Sequence, residues 1–284
     1  MNGSILTLGY SSCPNDTFIF KAMARELIDL GPHSFDIRLE DVETLNQNAA
    51  LGKYQITKLS VAALGKLLDR YALLRSGAAL GNGCGPLIIA RPGRWPDDRP
   101  CQRVAVPGMG TTAYHLFRFY MDDLFPGQQT TILPMPFEKV MPAVLADQAD
   151  LGVIIHEGRF VFQGLGLSQV ADLGQWWEEN TGLPIPLGCI ALRRDLGPET
   201  AQQIQQLIAD SIDHAFAHPE AARDYIDTHA QELDPEVIQQ HIDLYVNDFS
   251  RDLGPTGEKA IALFFEKAAR AGLMPEPDQP LFIR

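Results

Sequence analysis

Strand-length apolar runs alternate with helix-length segments through the N-terminal third of this chain: Ile5–Tyr10, a helix from about Asp16, Phe35–Asp41, a helix from Glu43, Ile56–Leu59 and a helix from Ser60. Adjacent parallel strands need a crossover long enough to hold a helix, so this alternation predicts βαβ units and a parallel sheet. Pro86–Ala90 follows as a further strand, and the polar, proline-rich stretch Arg91–Pro100 marks a boundary. A second α/β set then begins, with a strand at Val104–Val106, a helix over Thr112–Tyr120, a strand at Thr130–Leu133, a helix around Lys139–Asp147 and a strand ending at His156. Cys189–Leu192 is another strand, and from about Glu199 the chain turns helical, with Ile204, Leu207, Ile208, Ile212 and Phe216 at helical spacing.

If the chain crosses out near residue 95 and returns near residue 185, the fold class is α/β with two lobes. Residues 1–95 plus 186–284 form a larger, discontinuous lobe and 96–185 a smaller one. Two crossings make a hinge, and a hinge makes a central cleft.

Charge narrows the partners of such a cleft. A formal net charge of −13 and a pI near 4.9 disfavour nucleic acid and an anionic membrane surface by long-range repulsion. A small anionic substrate stays compatible, because a local site can be positive inside a negative protein. The N-terminus lacks the basic and continuous apolar regions of an export signal, and no segment is long enough to span a bilayer, so the expected location is cytoplasmic. Cys13, Cys84, Cys101 and Cys189 lack metal-ligand or dithiol spacing and read as reduced thiols. His214, His218, His229 and His241 lie at no metal spacing and receive no chemistry.

The segment Leu151–Glu157 carries the chemistry. A buried apolar strand ends there on His156, and in open α/β sheets ligands bind at the carboxyl ends of strands. Imidazole takes and returns a proton near neutral pH, which suits a general base; a core histidine bonded to backbone suits the same position. Three helix starts add anion-binding capacity: Pro14–Thr17, with Asn15 or Asp16 as cap; Lys58–Ser60, with Ser60 as cap; and the glycine-bearing Pro107–Ala113. Lys58 adds a charge, Asp41 and Glu43 are candidate acids, and Trp176–Trp177 either covers an aromatic ligand or packs in the core. Gly81–Gly85 precedes a strand rather than opening a helix, so it reads as a turn and not a phosphate loop.

Taken together, Ser12–Phe20, Leu39–Asn46, Thr57–Ser60, Leu74–Gly77, Thr111–Tyr114, Ile154–Glu157, Trp176–Glu179 and Tyr245–Asn247 resemble the 1,4-dihydroxy-6-naphthoate synthases of the futalosine route to menaquinone, nearly end to end. The resemblance implies a two-lobed type 2 periplasmic-binding-protein-like fold and a lyase that converts cyclic dehypoxanthinyl futalosine to 1,4-dihydroxy-6-naphthoate and dihydroxyacetone, with no cofactor and no metal. It places the proton acceptor on His156 and substrate contacts on Lys58, Leu59, Ser60, Thr112 and Ala113. Ser12 departs from a proline frequent in the family, which bears only on loop rigidity. Two rival readings share this architecture: a solute-binding protein of a transport system, against which the missing export signal argues, and the related chorismate dehydratase, whose N-terminal pattern differs from Pro14–Phe20.

Overall fold

The computed structural model describes residues 5–94, 101–229 and 234–283. Strand β1 (Ile5–Tyr10) leads into helix α1 (Pro14–Ala24), whose first position is a proline that has no N–H to leave unpaired. β2 (Ser34–Leu39), α2 (Val42–Ala50), β3 (Ile56–Ser60) and α3 (Val61–Gly65) repeat the pattern, with the Asp41 carboxylate capping α2. Short strands β4 (Tyr71–Leu73) and β5 (Ala79–Gly81) precede β6 (Leu87–Ala90).

Next come β7 (Cys101–Val106), α4 (Thr112–Leu124), β8 (Gln129–Pro134), α5 (Phe137–Leu145), β9 (Leu151–Ile154), α6 (Gly158–Val161), β10 (Ser168–Asp172) and α7 (Leu173–Thr181). The long strand β11 (Ile185–Arg193) returns the chain, and α8 (Gly197–Ala217), α9 (Pro219–His229), α10 (Pro235–Tyr245), α11 (Asp248–Arg251) and α12 (Gly254–Arg270) complete it. No helix among the described residues is long and apolar enough to cross a membrane.

Two sheets result. The first runs β2-β1-β3-β11-β4, with β5 also on β11; the second runs β10-β6-β9-β7-β8. Helix crossovers make β2, β1 and β3 parallel, as the alternation requires, and likewise β8, β7 and β9. Each sheet is nevertheless mixed, because β11 runs antiparallel to β3, β4 and β5, and β6 runs antiparallel to β9 and β10. The sheets also divide the chain differently from the expected boundary at residue 95. Leu87–Ala90 pairs with β9 and β10, so the passage between sheets precedes β6 at residues 82–86. Residues 95–100 lie outside the described residues.

One buried cluster threads both sheets. It joins Leu59 and Cys189 of the first to Val104 and Leu151 of the second, with Phe117 of α4, Trp177 of α7 and Phe264 of α12. A second core packs β1 and α1 on α8 through Leu8, Ile19, Ile204 and Ile208, and a third sets Val140 and Val144 of α5 on the second sheet. Phe216 departs from the helical stripe expected of α8: it is 53% exposed, edge-on to Phe18.

The glycine-rich passage is explained by packing. A Cβ on Gly85 would lie 2.2 Å from the backbone nitrogen of Gly174, at the start of α7, and Leu173 N–H donates to the Pro86 carbonyl beside it at 3.0 Å. Backbone cannot yield there as a flexible side chain would. Gly85→Ala is expected to cost at least the 1–3 kcal/mol typical of overpacking (roughly), read as a lower urea midpoint; an unchanged midpoint would contradict the close approach.

Candidate active site

The junctions β1–α1 and β3–α3, the start of α4 and the turn after β9 meet at a cavity of about 640 Å³, counting the space open to solvent. Its wall is organised by Asp16. The Asp16 carboxylate accepts from Lys58 Nζ at 2.6 Å, Ser11 Oγ at 2.7 Å, Asn15 Nδ2 at 3.0 Å and Ser11 N at 3.2 Å. The side chains of the Lys58–Asp16 pair are 6% and 1% exposed, so the lysine charge is compensated inside the wall rather than offered whole to a ligand. Of the three ammonium N–H groups only one is needed for Asp16, leaving donors toward the cavity.

Strand pleat decides which residues of Lys58–Ser60 face the cleft. Lys58 and Ser60 line the cavity; Leu59, between them, is fully buried in the core that threads both sheets. The Leu59 side chain therefore packs in the core and does not line the cavity. Ser60 N–H donates to Asn46 Oδ1 at 2.9 Å, and Ser60 Oγ accepts from Asn46 Nδ2 at 3.1 Å, which leaves the hydroxyl hydrogen to donate.

The helix starts differ from their sequence roles. At α1 the cap residue is Cys13, and Asn15 and Asp16 lie inside the first turn, where their side chains build the wall. At α3 no side chain caps the helix from Ser60; instead Thr112 Oγ1 accepts from Ala62 N–H at 3.2 Å and donates to the Leu187 carbonyl at 2.7 Å, bridging α3, α4 and β11. The start of α4 keeps its capacity. Thr111 caps it by accepting from Tyr114 N–H, and Thr112 and Ala113, whose N–H groups precede the first intrahelical bonds, line the cavity. The glycines before it approach a protein carboxylate: Gly110 N–H donates to Glu43 Oε1 at 3.3 Å. Asp41 and Glu43 line a second pocket that shares Val42 with the cavity, and do not line the cavity itself.

His156 follows β9 with a left-handed backbone, φ 55°, a conformation few non-glycine residues adopt. The turn is tied down by Arg159, whose guanidinium donates to Asp172 Oδ2 at 2.5 Å and to the Gly85 carbonyl at 2.6 Å. The half-buried imidazole has its Nδ1 3.5 Å from Cys13 Sγ, and it sits between the rings of Phe137 (5.1 Å) and His241 (6.1 Å, interplanar angle 6°). Burial lowers its pKa from the ordinary 6.5, helped by Lys58 and opposed by the carboxylates of Glu157, Asp16 and Asp41. His156 is thus neutral at neutral pH and able to accept a proton.

Cys13, His156 and Glu157 bring a sulfur, a ring nitrogen and a carboxylate within 4.8 Å of one another. Burial pushes the Cys13 thiol well up, so the sulfur stands as S–H beside the imidazole. Cys13, Cys84 and Cys189 are free; the Cys101 side chain lies outside the described residues. Trp177 is core, donating to the Pro184 carbonyl, and Trp176 packs edge-on to Tyr120; neither lines the cavity.

Two mixed sheets around a cleft, with helix starts and a strand-end base facing into it, define a periplasmic-binding-protein-like fold. The alkanesulfonate-binding protein of Xanthomonas axonopodis pv. citri matches with a TM-score of 0.73 over 98% of this chain and 96% of its own, at 14% identity, a likeness of fold alone. A crystal structure of a protein from Archaeoglobus fulgidus matches with a TM-score of 0.86 and 32% identity, over 95% and 98% of the two chains. The profile of the menaquinone biosynthesis family matches residues 6–270, and the chain belongs to that family of enzymes. A protein of Thermus thermophilus is 46% identical over 98% of this chain and 99% of its own length, and one of Streptomyces coelicolor 44% identical over 97% and 96%; both are named 1,4-dihydroxy-6-naphthoate synthase.

Removing one member of a buried ion pair leaves the other uncompensated. Lys58→Ala is expected to destabilise the protein by about 3–5 kcal/mol, measured by urea unfolding, and a loss below about 1 kcal/mol would show that the pair behaves like a surface contact.

Proposed function

We propose that the protein forms 1,4-dihydroxy-6-naphthoate as a carbon–carbon lyase, acting on cyclic dehypoxanthinyl futalosine and releasing dihydroxyacetone. The reading is carried by one observation: a neutral, desolvated imidazole faces a cleft in a chain that matches proteins named for this product over almost its whole length. The N–H groups at Thr112 and Ala113 hold the substrate carboxylate at the positive end of α4, and the Ser60 hydroxyl and Lys58 ammonium donate to its oxygens. In the tautomer whose Nδ1–H points at the Cys13 sulfur, 3.5 Å away, His156 Nε2 keeps the lone pair and removes a substrate hydroxyl proton. The oxyanion lone pair forms the carbonyl of the departing fragment as the adjacent carbon–carbon bond breaks, and that bond's electron pair passes into the conjugated ring as an enolate. The enolate takes up a proton, with aromatic-ring formation driving the step.

General base catalysis contributes about 10²–10⁴-fold; the remainder falls to positioning within the cleft. Incubation of the purified protein with cyclic dehypoxanthinyl futalosine, followed by the ultraviolet absorbance of the naphthoate, is expected to give product, and His156→Ala to lose at least about 10²-fold in turnover while keeping its unfolding midpoint. Tight binding without product would make the protein a binder. The lowered pKa sets a pH signature: the base must be deprotonated, so kcat/KM should fall on acidification only below the ordinary imidazole value of 6.5. An acid limb above that value would remove His156 from the role.

A further inference from the structure

A second histidine belongs to this cleft. His241, on α10, is 1% exposed and lines the cavity, with its ring parallel to that of His156 at 6.1 Å. Its Nε2 lies 3.0 Å from Asn15 Oδ1, and its Nδ1 is buried with no hydrogen-bond partner among the described residues.

The tautomer follows from the neighbours. A carboxylate paired with lysine only accepts, so the Asn15 atom facing Asp16 is the Nδ2 donor, at 3.0 Å. Asn15 Oδ1 is then left toward His241, and an oxygen that accepts requires Nε2 to carry the hydrogen. Burial, reinforced by the Lys58 charge and by any proton taken up by His156, holds the His241 pKa well below the ordinary value, so the ring is neutral. Nδ1 is therefore a fixed lone pair, sealed in the cavity wall without a donor. A buried polar atom left unpaired costs about 1–3 kcal/mol, and such atoms are rare unless a functional state satisfies them.

We propose that His241 Nδ1 is a hydrogen-bond acceptor for a hydroxyl of the substrate, which positions the polyol portion for His156. The proposal rests on the function proposed above. Asn15 acts at one remove, by fixing which ring nitrogen is bare. The Tyr245 ring lies beside His241 on the same wall of the cavity, 4.6 Å from its ring. The acceptor favours a ligand that brings a hydroxyl to this wall and disfavours one that brings a carboxylate or carbonyl, since two acceptors repel.

Two substitutions separate this role from a structural one. The amide nitrogen of glutamine in His241→Gln reaches the Nε2 position and keeps the bond to Asn15, but leaves no acceptor at Nδ1. His241→Asn does the reverse, placing its amide oxygen near Nδ1 and losing Asn15. Steady-state kinetics on cyclic dehypoxanthinyl futalosine, with calorimetric binding of the same compound, are expected to show KM and Kd raised up to about tenfold in His241→Gln, the range of one hydrogen bond, with a smaller change in His241→Asn. A structural role predicts the opposite order, and that order, or a His241→Gln variant indistinguishable from wild type, overturns the proposal. Wild type that binds without turnover defeats the lyase reading but leaves the same order to be read from Kd. Wild type that neither binds nor turns over the compound overturns both.

Discussion

The buried pair between Lys58 and Asp16 is the contact on which the site depends. Asp16 lies in the first turn of α1 and Lys58 in β3, so one carboxylate ties two neighbouring strand-to-helix junctions and orients four donors around itself. Through Asn15 it also sets the hydrogen-bonding state of His241, 226 residues beyond Asn15 in the chain. A buried charge needs both a partner and hydrogen bonds to offset desolvation, and here those same bonds become the polar wall of the cavity. Stability and site geometry are thus one network, and altering either end of it disturbs both.

Compensating Lys58 internally leaves the cleft close to neutral, despite the strongly acidic surface. Attraction for a carboxylate then falls to oriented dipoles; Thr112 and Ala113 at the α4 start line the cavity, whereas Asn46 and Thr112 occupy N–H groups at the α3 start. Dipoles fixed by backbone need little reorganisation when charge shifts during a reaction. Thr112 links this arrangement across the cleft, accepting from α3 and donating to β11 from the first turn of α4.

Much of this was legible where local chemistry leaves a local mark. Leu151–Ile154 is an apolar run interrupted by His156, and the parallel strands announce themselves through the helices between them. β4 and β5, three residues each, and β10, five, leave no such trace, since their pairing is decided by partners far away in sequence. Misplacing Leu87–Ala90 has the same origin: a short apolar strand does not say which sheet it joins. Leu59 shows a subtler limit, because a motif names consecutive residues while strand pleat sends alternate ones to opposite sides. Asn15 and Asp16 look like caps from composition and serve as wall, and His241 carries no signal at all, its significance depending wholly on Asn15.

Phe264 and Trp177 bury themselves in a cluster that draws on both sheets. Neither sheet can melt without exposing apolar surface that belongs to the other, so two architectural lobes make a single thermodynamic unit. Modularity is lost with it: neither lobe is a portable part, and exchanging one between relatives would also require exchanging α12. Relative motion of the sheets, in turn, is confined to bending about a common packed seam, which favours small adjustments of the cleft over wide separation.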